Sequence, residues 1–275
     1  MAGVTTLGVV ESAAGVVLAG GRSTRMGAAK AELEWHGSTL LYRAAAVVGR
    51  VVDGPVLVVA APGQALPELP AGVEVVEDPV EGLGPMQGLA AGLAALRDRA
   101  EVAFVCSTDL PFLHPAYVRR VLRGLTADAE VVLPVAHGFR QPLAAAYRTR
   151  VAGLVAGLLA RGRDRPGMIF EHCVVTRLDD AALLDDTALA SYDPELASVV
   201  NVNTPEDYRT ARDREPPEVT VRRTGTDIVR AATVGHAAAA VGLTMDRHVV
   251  ATLDGRRVTG DEPLVVGDTI TFRLT

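Results

Sequence analysis

The sequence predicts an α/β protein that carries a second, smaller domain at its C-terminal end. Over residues 1–214, short apolar runs alternate with segments of helical periodicity. This pattern is typical of parallel strands joined by right-handed helical crossovers and covered on both faces. Residues 209–217 are charged and end in Pro216-Pro217, which favours a linker. We therefore predict one domain over residues 1–214 and another over residues 218–275.

Each element of the first domain is predicted from its apolar pattern and its boundary residues. The run 55–60 is short and continuously apolar, as expected of a strand buried on both faces. Residues 38–50 have helical spacing behind the N-cap candidates Ser38 and Thr39. Near the end of the domain, Thr204 can cap a helix that has Pro205 at its first position. Strands are expected at 16–19, 55–60, 73–76, 102–106, 130–134, 143–147, 174–178 and 199–202, and helices at 38–50, 89–99, 114–125 and 150–161.

The C-terminal domain has a different rhythm. An Ala-rich stretch at 231–241 has helical character, and Asp254-Gly255 between the expected strands 249–253 and 256–259 is a hairpin signal. The predicted order is β-α-β-β-β, which fits a small β-grasp module of the α+β class. Its strands are expected at 219–222, 249–253, 256–259 and 269–274.

Composition excludes several classes of function. The chain has a formal charge of −6, no basic tail and 4% aromatic residues, so neither nucleic acid nor a membrane is an expected partner. Cys106 and Cys173 form no Cys-x-x-Cys motif, and the histidines lack metal-ligand spacing. No apolar run reaches the roughly 18 residues of a membrane span, and the sequence has no signal-peptide pattern. We expect a cytoplasmic protein.

The most informative stretch is residues 15–30, where an apolar run opens into Gly20-Gly21 and is followed by Arg25 and Lys30. Glycines let the backbone approach a ligand, and free N–H groups beside cationic side chains form a phosphate cradle. Of the 27 basic residues, Lys30 is the single lysine. Because lysine and arginine are not equivalent at a phosphate, its position suggests a specific task, although a lone surface lysine needs no such reason.

Asp109 follows the apolar run 102–106 and is expected at the carboxyl edge of the sheet, where open α/β sheets bind ligands. A carboxylate there suits Mg²⁺, which takes one or two protein oxygens and completes its octahedron with water and substrate phosphates. The alternative is an ordinary turn aspartate, since Pro111 follows closely.

Two further polar stretches lie at expected strand ends. Asp78 precedes the loop Gly84-Pro-Met-Gln-Gly88, where glycines at a helix entry leave N–H groups free for a phosphate or a base edge. The alternative there is an ordinary Gly-Pro turn. Asn203 lies in an Asn-Val-Asn-Thr-Pro stretch, and its side chain either ligates a metal through the carbonyl oxygen or caps the next helix.

Together these residues resemble a known family. The pattern Leu-Ala-Gly-Gly-x-x-x-Arg-Met-Gly-x-x-Lys over residues 18–30 resembles the signature of nucleotidyltransferases with a Rossmann-like three-layer fold. Within that class the sequence looks most like the molybdenum cofactor guanylyltransferases, over residues 14–210. The resemblance implies transfer of GMP from GTP to molybdopterin, with release of pyrophosphate and dependence on Mg²⁺.

The resemblance also implies roles for individual residues. Asp109 would coordinate magnesium, with Asn203 as a candidate second ligand. Lys30 and Arg25 would hold the β and γ phosphates and stabilise the leaving pyrophosphate. The residues implied to line or contact the nucleotide are Leu18, Ala19, Gly20, Gly21, Lys30, Asp78, Gly84 and Asp109.

Two questions stay open at the level of sequence. A cytidylyltransferase acting on the same cofactor, or another NTP transferase of the same fold, is the nearest alternative; Gly20-Gly21, in place of the Ala-Gly of cytidylyl relatives, favours guanine. The C-terminal module resembles the ubiquitin-like sulfur carriers, which end in Gly-Gly, whereas this chain ends in Leu274-Thr275. We therefore expect that module to dock molybdenum-cofactor pathway proteins rather than to carry sulfur.

Overall fold

The structure is a computed structural model that describes residues 12–20, 30–78 and 84–274. Its largest feature is an eight-stranded sheet in the order β10-β7-β9-β6-β1-β4-β5, with β8 paired to β7, and a small hairpin formed by β2 and β3 lies apart from it. The strands are β1 (Ala13–Leu18), β2 (Glu34–Trp35), β3 (Ser38–Thr39), β4 (Val56–Ala60), β5 (Glu74–Glu77), β6 (Val102–Ser107), β7 (Val131–Ala136), β8 (Phe139–Arg140), β9 (Ala144–Arg148) and β10 (Val175–Asp179).

Strand direction decides where a ligand can bind on this sheet. β1, β4, β5 and β6 are parallel, so their carboxyl ends meet at one edge, as predicted. β9 instead runs antiparallel to both β6 and β7, so the expectation of purely parallel pairing was wrong. The reason is the short β7–β9 connection, which turns at Gly138 with a φ of 80° and is too short for a crossover helix.

Helices cover both faces of the sheet, which confirms the predicted three-layer α/β class. Alternate residues of β1 divide between two cores: Val17 packs with α1 and α3 on one face, and Val16 packs with α2 and α4 on the other. The predicted cap Thr39 accepts a bond from the Tyr42 N–H at the start of α1. The helices of this part are α1 (Leu40–Gly49), α2 (Pro85–Ala95), α3 (Pro115–Arg123), α4 (Ala152–Leu159), α5 (Asp180–Leu184), α6 (Thr187–Tyr192) and α7 (Pro205–Arg212).

The strand predicted at 199–202 is absent. The structure has a short 3-10 turn at Ala197–Val199, after which the Val202 N–H donates to the carbonyl of Asp109 at 2.9 Å. That contact lies beyond the end of β6, so the apolar residues are buried without joining the ladder. Thr204 is the N-cap of α7 with Pro205 at the first position, as predicted, and it also forms a capping box with Asp207.

The C-terminal sheet unit contains five strands and one helix, α8 (Val234–Ala240). Its strand order is β12-β11-β15-β13-β14, and its first and last strands, β11 and β15, are parallel neighbours. The sequence missed β12, whose residues are mostly exposed and polar. The topology is consistent with the predicted β-grasp module, but that assignment and the domain limits stay predictions. The strands are β11 (Glu218–Arg222), β12 (Thr226–Arg230), β13 (Val249–Leu253), β14 (Arg256–Val258) and β15 (Thr269–Leu274).

Across residues 12–20, 30–78 and 84–274, the longest apolar helices fall short of the length that a membrane crossing needs.

Candidate functional site

Three side chains from distant parts of the chain meet at the carboxyl edge of the large sheet. The Lys30 ammonium donates to Asp109 Oδ2 at 3.0 Å and to Asn203 Oδ1 at 2.9 Å. The side chains of Lys30 and Asp109 are 20% and 16% exposed, so solvent can reach the cluster. This cluster is the centre of the candidate site.

Different elements bring these residues together. Lys30 begins a short 3-10 turn that leads into β2, and Asp109 lies just beyond the end of β6. Asn203 is tied to Asp109 through the backbone bond from Val202. The geometry therefore depends on the order of strands in the sheet and on a contact between two loops.

A fourth polar group, Ser107, was not identified from the sequence. Its hydroxyl donates to Asp109 Oδ1, so both oxygens of the carboxylate have a partner. This bond fixes the carboxylate and turns Oδ2 toward Lys30. The sequence does contain a signal for this bond, because a serine at a strand end can reach an aspartate two positions later. Many serines lie at strand ends, however, so the signal is not specific.

Asp207 fixes the backbone around Asn203. Its carboxylate accepts the N–H groups of Asn203 at 3.1 Å and Thr204 at 2.9 Å. Its hydrogen bonds with the Thr204 side chain, then with these two N–H groups, lower the pKa of Asp207, and the charge of Lys30 adds to the effect. The capping role of Asp207 leaves the Asn203 amide free to point at Lys30.

The same oxygens fit the chemistry of a hard divalent cation. Asp109 Oδ2 and Asn203 Oδ1 converge on one point, where the Lys30 ammonium now sits, and carboxylate and amide oxygens are ligands that Mg²⁺ accepts. In the described ranges no group of three or more His, Cys, Asp or Glu side chains is placed to hold a metal ion. A divalent cation at this point would take its other ligands from water and phosphate.

The glycine turn after β1 presents backbone rather than side chains. Leu18 and Ala19 are buried, so only their main-chain groups can face a nucleotide. The Gly20 N–H donates to the Val59 carbonyl at 3.1 Å, and a Cβ at Gly20 would lie 3.2 Å from the Ala61 nitrogen. The tight contact between these two strand ends explains a glycine at this position.

Gln64, which was not identified from the sequence, stabilises the same turn. Its amide donates to the Ala19 carbonyl at 3.2 Å and accepts the Ala61 N–H at 3.0 Å. It thereby joins the ends of β1 and β4. Because both partners are backbone groups, no pairing of side-chain types signals this contact in the sequence.

The second predicted nucleotide-contacting stretch lies on the same edge. Asp78 directly follows β5, and Gly84 is the N-cap of α2, with a φ of 75° and no side-chain cap. Pro85 at the first position of α2 has no N–H, and the Gln87 N–H donates to the Gly84 carbonyl at 3.3 Å. Gly88 has a packing role instead, because a Cβ there would lie 3.3 Å from Leu18 Cδ2.

The structure thus brings Lys30, Asp109 and Asn203 into direct contact and places Leu18, Ala19, Gly20, Asp78 and Gly84 along the same edge. Gly21 and Arg25 lie outside the described residues, so their predicted roles stay predictions.

Comparison with known proteins gives a family and a fold. Residues 15–176 match the family described as the MobA-like NTP transferase domain. The chain is 44% identical over 169 residues to a protein of Mycobacterium bovis named "Probable molybdenum cofactor guanylyltransferase", covering 60% of this chain and 82% of that one. A relative of the same name from Mycobacterium ulcerans is 41% identical over 171 residues, covering 61% and 83%.

Solved structures agree on the fold of the large sheet. Molybdopterin-guanine dinucleotide biosynthesis protein A from Archaeoglobus fulgidus is similar with a TM-score of 0.57 and 22% identity, covering 73% of this chain and 97% of that one. A 2-C-methyl-D-erythritol 4-phosphate cytidylyltransferase from Thermus thermophilus gives a TM-score of 0.52 and 19% identity, covering 72% and 96%. Proteins named for different nucleotides share this fold, so the fold does not select the base.

Proposed function

This chain belongs to the MobA-like NTP transferase family, and from that membership we propose that it is a Mg²⁺-dependent molybdenum cofactor guanylyltransferase. The donor would be GTP and the acceptor molybdopterin. The names of its relatives, at 44% and 41% identity, support guanine over cytosine. A nucleotidyltransferase acting on another base or acceptor is the alternative that the experiment below excludes.

The proposed reaction is an in-line displacement at phosphorus. An oxygen of the terminal phosphate of molybdopterin forms a bond to the α-phosphorus of GTP. The bond from that phosphorus to the oxygen bridging to the β-phosphate breaks, and pyrophosphate leaves with the electron pair. No general base is needed, because a phosphate nucleophile is already anionic near neutral pH.

The phosphates would be held on the Lys30 side of the site. Lys30 and Arg25 bind the β and γ phosphates, and Asp109 and Asn203 hold the divalent cation. A divalent cation held by these two residues would supply positive charge that offsets the negative charge developing on the leaving group. Binding of a triphosphate gives the Lys30 ammonium new anionic partners, which frees the two oxygens that it now contacts.

The rest of the nucleotide would lie along the glycine turn and the start of α2. Main-chain groups of Leu18, Ala19, Gly20 and Gly21 line it, and Asp78 and Gly84 contact the guanosine side. The positive end of the α2 dipole would favour a negatively charged ligand there.

One observation carries the proposal within this family: an ammonium, a carboxylate and an amide oxygen meet within 3.0 Å at the carboxyl edge of the parallel strands. This is the edge where open α/β sheets bind ligands. A positive group beside hard oxygen donors is what a metal–triphosphate complex needs.

The test is a transfer assay with radiolabelled GTP, molybdopterin and Mg²⁺. We expect label in a molybdopterin dinucleotide and one pyrophosphate released per transfer, both lost on chelation of the metal. CTP in tenfold excess should compete weakly. Equal use of CTP and GTP would contradict the guanine assignment, and failure to use any NTP with molybdopterin would overturn the proposed function.

A further inference from the structure

The loop at residues 264–268 of the C-terminal sheet unit packs tightly on the large domain. Val265 is 3% exposed and belongs to the same hydrophobic core as Leu110 and Leu113. Gly267 has a φ of 85°, and a Cβ there would lie 2.2 Å from the Tyr192 ring. Val265 therefore anchors the loop in the core of the large domain, and the Tyr192 ring occupies the space that a side chain at position 267 would need.

Arg43 of α1 connects this loop to the segment that carries Asp109. Its Nε donates to the carbonyl of Pro111, and its Nη1 donates to the carbonyl of Leu264 at 3.2 Å. The residue is 7% exposed, and burial lowers the pKa of Arg43 to about 10, so it stays charged at neutral pH. A buried cation is stable only while its hydrogen bonds are satisfied, which couples the positions of its two partners.

His114 makes a second connection at the other end of the segment. Its Nδ1 accepts the Ala116 N–H at 3.0 Å and so caps α3. With Nδ1 as an acceptor, Nε2 carries the proton of the neutral ring and donates to the carbonyl of Val266 at 3.0 Å. The segment 109–114 is thus tied to the C-terminal loop at Pro111 and at His114.

A third contact strengthens the interface without reaching the segment. Arg50 of α1 binds Asp268 at 2.5 and 3.0 Å, and both side chains are 5% exposed. Asp268 also accepts the Val265 N–H at 2.9 Å, which shapes the loop. None of the side-chain bonds that the described structure gives Arg50 goes to residues 109–114. Arg50 is therefore a comparison for Arg43 that touches the loop through Asp268 but makes no direct bond to the segment.

We propose that residues 264–268 hold the segment 109–114 in register with Lys30 and Asn203, with Arg43 as the positioning residue. The C-terminal sheet unit is then a structural part of the active site, in addition to any partner that it docks. The effect on catalysis rests on the proposed function, whereas the effect on the segment itself does not.

The physical reason is that small displacements of the reacting groups in such a site strongly lower the rate. Reacting groups need placement within about 0.5 Å, and a displacement of about 1 Å can lower a rate about 100-fold. The carbonyl of Pro111 lies only two residues from Asp109, so release of that carbonyl moves the carboxylate relative to Lys30 and Asn203.

The test compares Arg43→Gln with Arg50→Gln in the full chain, with Arg43→Lys as the conservative variant. Hydrogen exchange of the peptide covering residues 107–114 reports the segment, and Mn²⁺ binding by electron paramagnetic resonance reports its oxygens. We expect Arg43→Gln to speed that exchange about tenfold, as loss of a charged hydrogen bond predicts. It should also weaken Mn²⁺ binding and lower kcat for GMP transfer, with partial recovery in Arg43→Lys.

Arg50→Gln should lower the melting temperature to a similar extent but change exchange at residues 107–114 and Mn²⁺ binding much less than Arg43→Gln, because it reaches the segment only through Asp268 and the loop. Equal effects of the two substitutions on these readouts would overturn the proposal and reduce Arg43 to a role in interface stability. If Arg43→Gln does not fold, Gly267→Ala displaces the loop from Tyr192 and must raise the same exchange. If the wild-type protein does not transfer GMP, the proposed function is wrong. The hydrogen-exchange and Mn²⁺-binding measurements would still test whether Arg43 positions the segment.

Discussion

The two sides of the candidate site use different chemical groups, side chains on one and the main chain on the other. On the metal side, Lys30, Asp109 and Asn203 bond one another through their side chains. On the nucleotide side, the turn at Gly20 and the start of α2 at Gly84 offer main-chain groups, held by Gln64 and by close helix packing. Chemistry at the first side depends on which functional groups are present. Binding at the second depends on the path of the backbone.

This difference predicts which substitutions matter at each side. On the metal side, removal of a charged group should strongly lower the rate of GMP transfer. On the nucleotide side, addition of a methyl group should do more harm than removal of a polar atom.

The largest effect is expected for Asp109→Asn, which keeps the size of the side chain and removes its charge. Loss of the proposed metal ligand should lower kcat for GMP transfer about 1,000-fold, because metal stabilisation of the transition state is worth several kcal/mol. Ser107→Ala removes only the bond to the other carboxylate oxygen and should cost about tenfold or less. Equal losses in the two variants would mean that the carboxylate acts only by holding its loop.

On the nucleotide side, Gly84→Ala places a Cβ on a residue with a φ of 75°. With a ψ of −173° this conformation is almost restricted to glycine, so strain of about 1–3 kcal/mol should move the first turn of α2 and raise the KM for GTP up to about tenfold, with kcat nearly unchanged. Gly242→Ala meets a similar φ of 73° in the C-terminal unit and should leave KM as in the wild type. A KM that does not respond to Gly84→Ala would remove α2 from the nucleotide site.

Gly92→Ala tests the packing that sets the position of α2. A Cβ at Gly92 would lie 2.6 Å from Val16 Cγ1, and such overpacking costs about 1–3 kcal/mol of stability. Gly157→Ala in α4 is the control, because its Cβ would meet only the end of Arg161 at 4.0 Å. Denaturant titration should show that variant to be as stable as the wild type or up to about 1 kcal/mol more stable. Equal stability of the two variants would argue against tight packing of α2 on β1.

The smallest expected effect is a dependence of stability on pH. It arises at His114, in the segment that carries Asp109. Burial lowers the pKa of His114 from its ordinary 6.5, with Arg50 acting in the same direction and the Val266 carbonyl, Asp268 and Asp193 acting against it. As pH falls, His114 therefore takes up its proton at a higher pH in the unfolded chain than in the folded protein. The stability that neutral His114 contributes is complete above pH 6.5 and is lost between that value and the lower folded pKa.

Melting temperatures measured between pH 7 and pH 5 check this sign. His114→Asn keeps a capping acceptor for α3 but cannot titrate, so its melting temperature should fall less over this interval than that of the wild type. Parallel curves for the two proteins would show that His114 does not contribute.

The sequence identified the metal side better than the contacts that support it. Lys30 and Asp109 follow strands that carry clear apolar signals, and the carboxyl ends of parallel strands share an edge, so their meeting was predictable. Gln64 and Arg43 bond to backbone carbonyls far away in sequence. Carbonyl groups are the same in every residue, so such contacts leave no trace in a residue pattern.

The errors in the predicted elements have similar physical causes. An apolar run gives no strand direction, so antiparallel β9 was expected to be parallel. Val199 and Val202 pack into hydrophobic cores without joining the sheet, and their apolar character alone was interpreted as a strand. β12 was missed because it lies at the edge of its sheet with most residues exposed, which gives it no alternating apolar pattern.

The most direct test of the account measures Mn²⁺ affinity and GMP transfer in Lys30→Ala. The Lys30 ammonium now contacts both oxygens of the proposed metal site, so without nucleotide its removal should strengthen Mn²⁺ binding. The same substitution should lower transfer about 100-fold or more, because the triphosphate loses its cation. Mn²⁺ affinity that is unchanged or weaker in Lys30→Ala, together with transfer at the wild-type rate, would contradict a shared site for the ammonium, the metal and the phosphates.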